Sequence, residues 1–223
     1  MVIHGLEERV ILGLASANNA IDHMHKDPNL ADQEAGIALS SVSPYFQTVG
    51  EAIHGDHYHR DALVDGLREI YGKAYFVKSV NSFSALKRDP NLIKTAYPAY
   101  LALSMQFQGS FEALKKINYQ NNEHISELLN NYVILENMLL TREKGWAEEL
   151  ERNAQSITFK PKSDALRTLA MDHYNRALIF LEKMETIAEY ARERKISLGE
   201  FKEPLLRNGI HGTLTAKLAA YAA

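Results

Sequence analysis

The chain has 223 residues, 46% apolar and 24% charged, the composition of a folded globular protein rather than a disordered one. Its formal net charge is −3 and it contains no cysteine, which excludes disulfides, thiol nucleophiles and cysteine-ligated metals and fits a reducing compartment. Basic pairs such as Lys87-Arg88 and Lys115-Lys116 stand alone, so no nucleic-acid partner is expected, because phosphate binding needs clustered Lys and Arg.

The opening residues Met1 to Gly5 run straight into Glu7-Glu8-Arg9, without the basic-then-apolar order of a signal peptide. No run of about 18 apolar residues is present to span a bilayer. A cytoplasmic location without a membrane partner is the expectation.

Helical periodicity dominates from there. Over 3–25, Leu6, Val10, Leu14, Ala17, Ile21 and Met24 recur at three- and four-residue spacing, one face of a helix. Asp27-Pro28 supplies an N-cap and a first helical residue, opening a second helix that carries Val42, Phe46, Val49 and Ile53 to Gly55. A third, over 56–87, has Leu63, Leu67, Ile70, Ala74 and Val77 on its stripe, and a fourth runs to about 117. Pro44 and Pro98 fall inside the second and fourth patterns. An interior proline costs about 3 kcal/mol and bends or breaks a helix; bends are expected.

A fifth helix over 122–155 is marked by Ile125, Leu128, Tyr132, Leu135, Leu139, Trp146 and Leu150. After a loop near Pro161, Ser163 or Asp164 is expected to cap a sixth, whose stripe is Leu166, Leu169, His173, Ala177, Leu181, Met184, Ala188 and Ala191. Ser197 and Glu200 have capping-box spacing for one short helix ending at Asn208-Gly209. An alanine-rich tail follows. The expected fold is all-α: a single helical domain over 1–223, an antiparallel bundle of about six long helices plus a short C-terminal one. The turn Lys26-Asp27-Pro28-Asn29-Leu30 recurs as Arg88-Asp89-Pro90-Asn91-Leu92. That suggests duplicated hairpins over 1–55 and 56–117, followed by a hairpin over 122–195. The plainer reading is that Asp-Pro is a favoured helix opening.

Histidine is the one suggestive residue type. Asp22-His23-Met24-His25-Lys26-Asp27 parallels Asp56-His57-Tyr58-His59-Arg60-Asp61. Zinc hydrolases use His-x-His-x-Asp on glycine-rich strand-end loops, whereas both copies here fall at helix ends. Glu51-x-x-His54 has the spacing of bundle metal sites, but Glu51 lies about 200° round the helix from Val49 and has no second copy to pair with. An up-and-down bundle gathers His54, His57, His59, Glu123 and His124 at one pole. It leaves His23 and His25 at the other, about 40 Å away along a helix of about 27 residues. Imidazoles at that pole could hold a divalent transition metal, with His54, His57, His59 and His124 as ligands; the plainer reading is a solvated polar turn. His173 interrupts an apolar stripe and is expected to be buried on a hydrogen-bond partner. Gly66 to Gly72-Lys73 approximates a phosphate loop but has one residue too many and lies mid-helix.

Two functional classes follow. One is a non-catalytic helical scaffold or interaction protein, a homo-oligomer or a binder of another protein. The other is a metal-binding bundle, an oxidoreductase among the options. The residues do not decide whether the chain is an enzyme.

Overall fold

The computed structural model describes residues 5–45, 62–199 and 209–222. They form seven α-helices and contain no strand: α1 (Leu6–His23), α2 (Pro28–Val42), α3 (Ala62–Leu86), α4 (Tyr97–Lys116), α5 (Asn122–Ser156), α6 (Lys160–Glu193) and α7 (His211–Ala222). No helix among the described residues is long and apolar enough to cross a membrane. Contacts gather into two compact units, Met1–Leu128 and Leu129–Ala223, with the boundary inside α5.

In the first unit, Asp27 and Pro28 open α2 as their chemistry requires. Asp27 Oδ1 accepts from the Leu30 amide at 3.1 Å and the proline occupies the first turn. The α1–α2 hairpin is closed by small residues: Gly13, Ala17 and Ala20 of α1, and Ala31, Ala35 and Ala38 of α2, are all buried. A Cβ on Gly13 would overlap the Ser41 and Ile70 side chains, so the close approach needs glycine.

Helix α3 is the centre of this unit, buried on several sides from Gly66 to Val80. Gly66 lies against Val10 and Lys73 bonds Asn18, so α3 runs parallel to α1. Lys78 pairs with Asp32 at 3.1 Å and the Asn81 amide donates to the Pro28 carbonyl at 3.0 Å, which sets α2 antiparallel to α3. Helix α4 returns along α3. Tyr100 donates to the Leu86 carbonyl at 3.2 Å, Phe83 meets Phe107 edge-on at 6.0 Å, and Ser110 donates to the Gly72 carbonyl at 2.7 Å. Helix α4 ends there, with Asn118 at φ 51 in the turn, a conformation asparagine tolerates.

Both expected bends are helix boundaries instead. Helix α2 stops at Val42 and Pro44 sits in a 3-10 turn, Ser43–Tyr45; the expected continuation through Phe46, Val49 and Ile53 lies outside the described residues. The fourth pattern divides into a 3-10 turn, Pro90–Lys94, and α4, which carries Pro98 in its first turn. A helix running from Pro90 through Pro98 would set the proline ring against the Lys94 carbonyl and lose a hydrogen bond. Restarting at Tyr97 places the missing N–H where no partner is needed. The repeated Asp-Pro-Asn-Leu therefore opens an α-helix at 27–30 and only a 3-10 turn at 89–92.

In the second unit, α5 and α6 form an antiparallel hairpin around a short turn, and Ser163 Oγ donates to the Ala154 carbonyl at 2.8 Å. Ser163 and Asp164 are thus not the cap. Helix α6 begins at Lys160 with Pro161 in its first turn, and the serine is spent on pinning the hairpin. The expected stripe holds from Ala177 to Ala191, but Leu169 is exposed, and Ala170 and Tyr174 take the core positions of that end. The alanine-rich tail is a helix, α7, with Leu214 fully buried. Of the short helix expected after Ser197, residues 200–208 lie outside the described residues.

Candidate functional site

The junction of α4 and α5 gathers the polar side chains of the first unit. Asn121 caps α5, its Oδ1 accepting from the amides of Glu123 and His124, both at 3.1 Å. This fixes His124 in the first turn, facing Tyr119, whose hydroxyl is 2.9 Å from His124 Nδ1. Beneath them Lys73 is buried, so its ammonium must be satisfied by the protein. It pairs with Glu69, donates to Asn18 Oδ1 at 2.6 Å, and lies 5.1 Å from the centre of the Tyr119 ring.

Burial lowers the His124 pKa, and the Lys73 ammonium lowers it further against the opposing pull of Glu127, Glu123 and Asp22. Burial raises Tyr119 to about 12, helped by Glu69 and Asp22. The phenol therefore stays protonated beside an imidazole biased toward its neutral form, and His124 Nδ1 is already engaged.

One turn on, Glu127 Oε2 is 3.0 Å from His25 Nε2. The expected separation of His124 from the His23–His25 pair by the length of the bundle is thus wrong. Because α4 stops level with Gly72 and Lys73, α5 begins partway along α3 and soon passes the α1–α2 turn. His54, His57 and His59 lie outside the described residues. Among the described residues no group of three His, Asp or Glu side chains is placed to hold a metal ion.

The second unit carries two fully buried carboxylates, Glu136 and Glu143, one heptad apart on α5. Across the hairpin, Lys183 reaches Glu136 Oε1 at 4.0 Å and Arg176 reaches Glu143 Oε1 at 3.9 Å, again one heptad apart. His173 Nδ1 is 2.5 Å from Glu143 Oε2, and the Trp146 ring lies 5.4 Å from the imidazole. His173 is half-buried and its partner is a carboxylate, so the expectation of a structurally engaged histidine holds while that of full burial does not. Of the two buried acids, Glu143 was legible in outline. The α5 stripe skips from Leu139 to Trp146, and Glu143 fills the gap.

A third cluster holds α7. Glu151 accepts from Tyr174 at 2.9 Å, Lys217 at 2.7 Å and Tyr221 at 2.6 Å. Burial alone would raise the Glu151 carboxyl, but these three donors together hold it below its ordinary value. Burial and then the bond to Glu151 push both tyrosines above the usual phenol range.

The outer face of the α1–α2 hairpin is of another kind. Ile11 is 66%, Leu12 64% and Ile37 55% exposed, while Ala17, Ala20, Ala31, Ala35 and Ala38 of the same two helices are buried. Leu12 and Ile37 border a groove of about 780 Å³ whose other lining residues, Ser16, Gln33, Gly36, Ser40 and Ser41, carry no charge. No family model, curated protein or solved structure matches the chain.

Proposed function

We propose that the protein is a cytoplasmic, non-catalytic helical scaffold that self-associates through the outer face of α1 and α2. The observation that carries this reading is the inverted burial of that hairpin, with five of its alanines, Ala17, Ala20, Ala31, Ala35 and Ala38, inside and Ile11, Leu12 and Ile37 in water. Burying a large aliphatic side chain stabilises by about 1.5–3 kcal/mol, and clustered exposed aliphatics mark association surfaces.

A second copy fits the face best. The surface carries bulky Leu12 and Ile37 beside the small Ser16, Gly36 and Ser40, so a two-fold arrangement seats the bulk of one copy in the groove of the other. The groove lining offers no charge to select an oppositely charged partner. Glu7, Glu8 and Arg9 lie at one end of α1, so antiparallel α1 helices keep like charges apart.

Sedimentation equilibrium tests the reading. The wild-type chain should be dimeric, and Leu12→Asp/Ile37→Asp should weaken association at least about 100-fold, roughly 3 kcal/mol, with its helical circular dichroism unchanged. A wild-type monomer at all concentrations, or an unaffected double variant, overturns it.

A further inference from the structure

The geometry points to an oxyanion-binding site on the α5–α6 hairpin, formed by Arg142, His173 and Arg176 around Trp146 and independent of the self-association face. The buried Glu143 organises it. The carboxylate takes His173 Nδ1 at 2.5 Å, which fixes the imidazole and leaves Nε2 as the nitrogen without a hydrogen bond among the described residues. On the same turn of α6, Arg176 is held at 3.9 Å from Glu143, beyond hydrogen-bond reach. Its side chain is half exposed and keeps donors for a ligand.

Arg142 completes the arrangement from α5. Its guanidinium lies 4.0 Å from the centre of the Trp146 ring, and that ring contacts His173. Arg142 Nε is buried and finds no hydrogen-bond partner among the described residues, a state that costs about 1–3 kcal/mol unless something accepts from it. His173 and Arg176 thus flank the Glu143 carboxylate while Arg142 stacks on the neighbouring Trp146. Asp172, next to His173 in sequence, is exposed. An oxyanion, whether the phosphate or the carboxylate group of a small ligand, accepts from planar guanidinium donors in the geometry they present best.

Trp146 is the only tryptophan in the chain, so its emission reports on this site alone. Inorganic phosphate should change that emission saturably and broaden the phosphorus resonance of the phosphate, while sodium chloride of matched ionic strength does neither. Acetate run in parallel distinguishes a carboxylate site from a phosphate site. Arg142→Met, which keeps an apolar stem over the ring, and Arg176→Gln, at a half-exposed position, should each weaken phosphate binding at least tenfold with circular dichroism unchanged. Either variant decides the matter if the other does not fold. The proposal is overturned if no probe anion moves emission or linewidth, if chloride reproduces the effect, or if the folded variants bind as the wild type does.

Discussion

His124 and His173 are both engaged through Nδ1, and their environments lead to different tests. His124 sits in a partly desolvated pocket that lowers its pKa from 6.5. The unfolded chain therefore binds more protons than the folded one in the interval below pH 6.5. The stability this group supports is present above pH 6.5 and is lost as pH falls through that value toward the folded pKa. Urea denaturation from pH 7.5 to 5.5 should show stability declining with acidity, and His124→Gln should flatten the decline. A slope identical in wild type and variant removes this histidine from the account.

His173 acts on a buried charge. Removing one partner of a buried pair strands the other, whereas replacing both with apolar side chains is often tolerated. His173→Ala should therefore lower stability by about 1–3 kcal/mol, and Glu143→Leu/His173→Leu should recover most of that loss. A thermal melt of the three proteins decides it; a double variant less stable than His173→Ala would show that the pair stabilises beyond mutual neutralisation.

At the scale of elements, the helices are joined by unlike means. The α1–α2 hairpin closes on alanine and glycine, α3 and α4 interlock through Gly72 against Leu114, and the α5–α6 hairpin carries a ladder of two acids against Lys183 and Arg176. In such a ladder a register shift would strand buried charges, a device that specifies pairing more than it stabilises it. Helix α7 has one fully buried apolar anchor, Leu214, and depends on Glu151 for much of the rest. Glu151→Gln keeps the shape but removes the charge that holds Lys217. Amide exchange over 211–222 should then accelerate about tenfold or more, since about 1.4 kcal/mol of local stability corresponds to that factor, while exchange over 177–191 stays unchanged. Unaltered exchange in α7 would mean that Leu214 alone holds the helix.

For the whole molecule, what the sequence determined by itself is its helical character and most of the helix ends. Val10, Ala17, Ile21, Leu67, Ile70, Ala74, Val77, Leu181 and Met184 are all buried as their spacing requires, and Asp27-Pro28 caps as written, because periodicity and capping are local physics carried by neighbouring residues. Tertiary structure decided what local rules leave open. Pro44 and Pro98 became boundaries rather than bends, since restarting a helix costs less than a clash in its interior. Leu169 gave its place to Ala170 and Tyr174, whose hydroxyl had Glu151 to reach. The polar sites depended on level along the bundle, which no residue period encodes. Only the point where α4 stops against Gly72 sets His124 beside Tyr119 and Lys73, one turn from the Glu127–His25 pair. Only the register of α5 against α6 sets His173, Arg176 and Trp146 around a buried glutamate.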